Sequence, residues 1–372
     1  VLRLIAFLAC ACAFSALAQV RPPPLAVRAF ALVDIQSGAT LASQAEDDHF
    51  EPASLAKLMT AYVVFDALRA GKLQTAQPVI VASAAPTAPG ARMYLEAGMT
   101  VPVEDLLRGL IVASANDAAV ALAVATSGNE ESFVEAMNTQ ARRLGLANTK
   151  FVNATGLPSR EHHITARDAA ALAFALLRDF PERQPLFAQK EFTWGGFPHA
   201  SRNRLLAIDP AVDGLMSGFT EGAGYSLAAS ATRGDRKLVG VVLGAQTDAL
   251  RTAETLKLLN FGFLSFETRR LYRKGAVVGT PEIFKGTRAV LPVGFDRDAW
   301  LTLPKGKFDG LQAVLQTQQP YVAPFARGQK AGIMKLTRDN APLAEFPVVA
   351  LEEVPVAGFL TRGWDTLRLL FR

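Results

Sequence analysis

Two stretches with a period of two, far apart in the chain, limit the fold more than any other feature. "VRAFALVDIQSGATLASQ", residues 27–44, alternates around a turn at Gln36-Ser37-Gly38. "YSLAASATRGDRKLVGVVLGAQ", residues 225–246, alternates around Arg233-Gly234-Asp235. Each reads as a β-hairpin, and the Arg-Gly-Asp triplet reads as its turn rather than an adhesion motif. A lone hairpin is marginal in water. Strands from the two ends can instead share one antiparallel sheet, with whatever lies between them packed against it.

What lies between them is mostly helical. From Pro52 to about Leu68 the chain is apolar, Ala- and Leu-rich and free of glycine, which predicts a buried helix. Residues 71–100 hold Pro, Gly, Ala and Thr and read as loop, and 102–126 read as a further helix. Helices are also predicted over 130–144 and 165–179. "DALRTAETLKLLNFGFLSF" follows the second hairpin as a long amphipathic helix. Near Arg269 the texture changes, and short apolar runs with turn signals over 275–355 predict a small all-β domain.

The two ends of the chain read differently again. "VLRLIAFLACACAFSALAQV" has an early arginine, an apolar run and small residues at Ala16 and Ala18. That is the pattern of a secretory signal, with cleavage expected after Ala18. Cys10 and Cys12, the only cysteines, fall inside it, so the mature chain is expected to have neither disulfide nor thiol chemistry. In "AGFLTRGWDTLRLLFR", residues 357–372, Leu360, Trp364, Leu367 and Phe371 share a helical face opposite Arg362, Asp365, Arg368 and Arg372. This basic amphipathic helix reads as an interfacial anchor. The net charge of +5 carries no Lys/Arg block or aromatic-interleaved basic stretch, so no nucleic-acid partner is expected. The adjacent His162 and His163 read as a loop entering a helix, and no metal is expected there.

Two short motifs carry chemistry. "EPASLAKLMT" sets Ser54 and Lys57 three residues apart on one helix face, behind Pro52. A serine at a helix start has backbone N–H groups beside it, and a desolvated lysine one turn on can be neutral and act as a base. Alone, the pair reads rather as an N-cap serine and a snorkelling lysine. "VASANDAA" adds Ser114 and Asn116, a hydroxyl and a carboxamide in an apolar neighbourhood, which are groups an acyl-transfer site needs.

Taken in order, these segments resemble the D-alanyl-D-alanine carboxypeptidases of the penicillin-binding protein 5/6 type, whose motifs run S-x-x-K, S-x-N and K-T-G. "PASLAKLMTAYVVFDAL" resembles the first and its helix, and "GARMYLEAGMTVPVEDLLRGLIVASANDAAVALA" the run into the second. "NATGLPSREHHITARDAAALA" and "SRNRLL" resemble intervening landmarks, and "VDGLMSGFTEGAGYSLAASA" the third motif with its strand. The likeness covers residues 25–266, and the β domain and tail extend it.

The resemblance implies an α/β (α+β) penicillin-recognising domain, an antiparallel sheet flanked by helices. It implies Ser54 as nucleophile, Lys57 as its base, Ser114 as proton relay and Asn116 as the group binding the substrate amide. The backbone N–H groups of Ser54 and Phe219 would form the oxyanion hole. No cofactor is implied. The partners implied are peptidoglycan pentapeptide, β-lactams and, through the tail, the outer face of the cytoplasmic membrane, for an exported periplasmic protein.

The third motif departs from the family pattern. Met216-Ser217-Gly218 replaces K-T-G, so the hydroxyl and glycine are kept and the cation is lost. In the family that lysine helps hold the substrate carboxylate and disfavours protonation of the first-motif lysine. Arg202 matches a position that also faces the carboxylate, and it is expected to supply part of the missing charge. The rival expectation is a weakly catalytic or non-catalytic penicillin-binding scaffold that binds cell-wall peptides or partner proteins.

Overall fold

The computed structural model describes residues 20–317 and 319–371. The expected signal at 1–18, with Cys10 and Cys12, and the terminal Arg372 lie outside the described residues. The chain divides into two compact units, one ending at Phe266 and one beginning at Glu267.

In the first unit the two distant hairpins do join. Strands β1 (Ala29–Asp34), β2 (Thr40–Gln44), β3 (Val212–Thr220), β4 (Gly224–Arg233) and β5 (Arg236–Ala245) form one antiparallel sheet in the order β2-β1-β5-β4-β3. The turn of the second hairpin is Gly234-Asp235, between the end of β4 and the start of β5. Every residue of β1 is buried. Ala29, Ala31 and Val33 pack into the helical core on one face, and Phe30 and Leu32 into a separate cluster on the other. A sheet buried on both faces reads apolar throughout, and the alternation decides only which layer each side chain joins.

Helices α1 (Ala56–Arg69), α2 (Val103–Ile111), α3 (Asn116–Ser127), α4 (Glu130–Arg143) and α5 (Ala166–Asp179) supply the first layer, and α6 (Asp248–Ser265) covers the other face. Asn129, Thr165 and Thr247 cap α4, α5 and α6 by accepting a backbone N–H three residues on. The helix expected across 102–126 is instead two. The chain breaks at 112–115, where Ser114 takes φ of +55° and Ala115 is extended. This break turns Asn116 into the first residue of α3 rather than an interior one.

The second unit is built of short strands, as its turn-rich sequence implies. Its main sheet runs β6 (Val277–Gly279), β7 (Val293–Gly294), β10 (Ala341–Ala350), β9 (Lys330–Arg338), β8 (Leu311–Thr317), over a core that includes Leu291, Met334, Leu336 and Val348. Helix α7 (Phe359–Leu370) closes the described chain. No helix among the described residues is long and apolar enough to cross a membrane.

Candidate active site

Ser54 lies in a single 3-10 turn, Ala53–Leu55, that runs directly into α1. The turn is squeezed from two sides. A Cβ on Gly156 would fall 1.7 Å from the Ala53 carbonyl oxygen, and one on Gly218 would fall 2.9 Å from Ala53 Cβ and 3.1 Å from the Ser54 nitrogen. Ala53 itself sits at φ of +48°, the left-handed region that costs an alanine free energy. In the sequence Gly218 is the glycine kept from the family's third motif. The geometry shows that the nucleophile's own turn already occupies the space a side chain there would need. Gly156, at φ of +88°, is equally constrained. Gly156→Ala is expected to lower the calorimetric melting midpoint by about 4 °C or more, from left-handed strain plus overlap. An unchanged midpoint would show that the turn relaxes without cost.

Lys57 is fully buried one turn along α1. Its Nζ lies 3.0 Å from Ser54 Oγ and donates to the Thr155 carbonyl at 2.8 Å. Burial pushes the ammonium down from 10.5 to about 7, and the field of Asp117 raises it in part. A neutral amine in contact with the serine hydroxyl can therefore be populated near neutral pH. Thr155 is turned toward Lys57 by Asn153, whose Oδ1 accepts from the Thr155 and Gly156 nitrogens at 3.2 and 2.8 Å. In the sequence, "NATG" stands out only as part of a family landmark. Its Asn-x-x-Gly spacing was the available sign of a tight turn.

The second wall comes from the break before α3. The Asn116 backbone nitrogen donates to the Ala91 carbonyl at 2.7 Å, and its side-chain nitrogen to the Pro89 carbonyl at 2.5 Å. A carbonyl can only accept, so the amide oxygen of Asn116 points away from Pro89.

Strand β3 forms the third wall as the edge strand of its sheet. Ser217 Oγ donates to the Arg202 carbonyl at 3.1 Å. Phe219 is 48% exposed and packs on Tyr225 at 4.3 Å between ring centroids. Thr220 Oγ1 donates to Glu51 Oε2 at 2.5 Å, tying the strand end to the segment before the nucleophile. Arg251 Nη1 reaches the Gly218 carbonyl at 3.0 Å from beneath.

A cavity of about 1010 Å³ is lined by Ser54, Ser114, Asn116, Arg202, Ser217, Gly218 and Phe219, together with Glu51, Thr155, Gly156 and Arg251. Lys57 stands behind this lining, in contact through Ser54. Met216 does not line the cavity: it is 1% exposed and belongs to the core that also holds Leu55, Ala56 and Leu58. Along β3 Met216 shares a face with Gly218, which meets the nucleophile turn. Arg204 and Arg251 both pair with Asp248, at 2.8 and 2.6 Å, whereas no carboxylate pairs with Arg202 among the described residues. Arg202 is thus the cavity-lining cation left without a protein counter-charge. His162 and His163 lie outside this cavity; no group of three or more potential metal-binding side chains occurs among the described residues.

The chain matches the family model for D-alanyl-D-alanine carboxypeptidase over residues 17–247 and that for the penicillin-binding protein 5 C-terminal domain over 266–356. It is 39% identical to the D-alanyl-D-alanine carboxypeptidase DacC of Escherichia coli strain K12, over 98% of this chain and 93% of that protein. Penicillin-binding protein 5 from Haemophilus influenzae superposes with a TM-score of 0.85 at 35% identity, covering 90% of this chain and 99% of that one. Penicillin-binding protein D2 of Listeria monocytogenes, solved in an ampicillin-bound form, matches 65% of this chain and 98% of its own, with a TM-score of 0.60 at 32% identity. On both sequence and fold, this chain belongs to the D-alanyl-D-alanine carboxypeptidase family.

Proposed function

We propose that this protein is a serine-type D-alanyl-D-alanine carboxypeptidase that releases the terminal D-alanine of peptidoglycan pentapeptides through an acyl-enzyme on Ser54. The contact between Ser54 Oγ and a fully buried Lys57 amine carries the reading. A snorkelling lysine would keep its head in water, and an N-cap serine would have no such partner. In the proposed cycle Ser54 Oγ attacks the penultimate carbonyl as its proton passes to Lys57. The N–H groups of Ser54 and Phe219 stabilise the oxyanion, at roughly 3–4 kcal/mol for each donor. Ser114 relays a proton to the leaving D-alanine, Asn116 holds the substrate amide, and water then cleaves the ester. The peptide lies along the free edge of β3, with its terminal carboxylate toward Ser217 and Arg202. β-Lactams present the same acylating carbonyl and label Ser54. The deciding assay is D-alanine release from a pentapeptide by purified protein. Labelling of Ser54 without any release would favour the scaffold reading instead.

We further propose an exported protein, with 1–18 as signal, 25–266 as catalytic domain, 275–355 as β domain and 357–372 as an anchor on the outer face of the cytoplasmic membrane. The orientation of α7 supports the anchor. Its polar edge is the docked one: Asp365 is buried and accepts from the Lys285 nitrogen at 2.5 Å, while Arg368 pairs with Glu282 and covers Phe284. Its apolar edge is exposed, with Leu360 at 84% and Phe371 at 90%. A helix packed for its own domain buries the opposite edge. Full-length protein is expected to sediment with anionic vesicles and a chain lacking 357–372 to remain in the supernatant. Co-sedimentation of the truncated chain would remove α7 as the anchor.

A further inference from the structure

We propose that Asp117 is a positioning residue for acylation: its carboxylate clamps the loop 89–95 to the start of α3, fixing the Asn116 wall, and supplies the negative field in which Lys57 works. The proposal rests on Ser54 and Lys57 acting as described above.

Asp117 is completely buried, and its carboxylate is used on both oxygens. Oδ1 accepts from the Met93 nitrogen at 3.1 Å and from the Ala118 nitrogen at 2.9 Å, and Oδ2 accepts from the Leu95 nitrogen at 3.0 Å. A buried carboxylate is tolerable only when hydrogen bonds replace its hydration, and the first turn of a helix favours its charge. The same loop accepts the two bonds from Asn116, at Pro89 and Ala91. Two consecutive residues thus grip opposite ends of one loop, and Gly90 and Ala91 between them line the catalytic cavity. The grip leaves Tyr94, at φ of +65°, exposed between buried Met93 and Leu95. If the Asp117 bonds are lost, the loop is free to drift from Asn116, and the substrate amide loses its fixed partner.

The second role is electrostatic. Asp117 is the charged group whose field reaches the buried Lys57 ammonium; the other polar neighbours of that ammonium, Ser54 Oγ and the Thr155 carbonyl, are neutral. A carboxylate favours the protonated amine, so it opposes burial and stabilises the ammonium that forms when Lys57 takes the Ser54 proton. With Met216 in the third motif, no lysine from that strand offsets this field.

The test is the rate of Ser54 acylation by a fluorescent penicillin as a function of pH, in full-length protein. Asp117→Asn removes the charge and keeps most of the shape. Because the carboxylate raises the Lys57 pKa, its removal lowers it, and the acid limb of the profile should move to lower pH. Asp117→Glu keeps the charge but displaces the oxygens by a methylene. It should leave the limb near its wild-type position while acylation falls about 10-fold, mainly through weaker binding before the covalent step. A residue that only stabilised the fold would lower the rate in both variants without moving the limb. An unmoved limb in Asp117→Asn, with wild type acylating normally, overturns the Asp117 proposal alone. Failure of the wild type to acylate removes the reading of Ser54 and this proposal with it.

Discussion

Replacing Ser54 by alanine is expected to abolish covalent labelling by penicillin and to lower D-alanine release by roughly 10⁴-fold or more, because the acyl-enzyme has no second nucleophile at its position. The more searching variants are at Lys57. Its amine touches Ser54 Oγ at 3.0 Å, and burial holds its pKa at about 7. Only the neutral form accepts the serine proton, so acylation by the wild type should climb as pH rises through about 7 and level off above it. Lys57→Met should reduce acylation about as severely as Ser54→Ala, since removing either member of a unit costs most of what the unit supplies. Lys57→Arg should not rescue it, because a guanidinium keeps its proton throughout this range. Persistence of labelling in Ser54→Ala would place the nucleophile elsewhere. A flat pH profile in the wild type would remove Lys57 as the base.

The sheet and its helices were legible because hydrophobic period and turn residues report burial directly. Both hairpins, α4, α5 and α6 lie where the pattern puts them. The helix break at 112–115 was not legible, because "LLRGLIVASANDAAVALA" is dominated by Ala, Leu, Val and Ile and its few polar residues are compatible with a continuous helix. What breaks it is remote: the Ala91 and Pro89 carbonyls take the Asn116 donors, and Ser114 is held left-handed. Local propensity cannot express a bond to a loop more than twenty residues earlier. Gly156 was missed for the same reason, since its space is claimed by Ala53 on another element. The chemistry-bearing side chains were easier to find than their supports. A motif names the groups that react, whereas Thr155, Asp117 and Arg251 matter through the distances the fold imposes.

Met216→Lys is expected to raise D-alanine release by roughly 10- to 150-fold, the worth of one charge-assisted hydrogen bond to the terminal carboxylate. From the sequence, two losses attend the methionine: a missing carboxylate partner, and a missing cation that would help keep Lys57 neutral. The structure weakens the second. Burial, even against the raising field of Asp117, brings Lys57 to about 7, so its base form is available without help from β3. The first loss stands, and Arg202, unpaired among the described residues, is the group placed to offset it. The restored lysine also carries a cost. Met216 is 1% exposed within the helical core, so an ammonium there must find the cavity or be desolvated. A lower melting temperature should therefore accompany any gain in rate. Two comparisons separate the causes. A substrate whose terminal carboxylate is amidated should show no benefit from Met216→Lys, because the added charge has nothing to hold. Arg202→Ala should impair the Met216 protein more than it impairs Met216→Lys, a positive coupling in a double-mutant cycle if the two cations serve one carboxylate. If Met216→Lys brings no gain while Arg202→Ala is severe, Arg202 already does the work of the missing lysine. If neither substitution changes release, carboxylate recognition does not reside at this wall, and the effect assigned to Met216 is wrong.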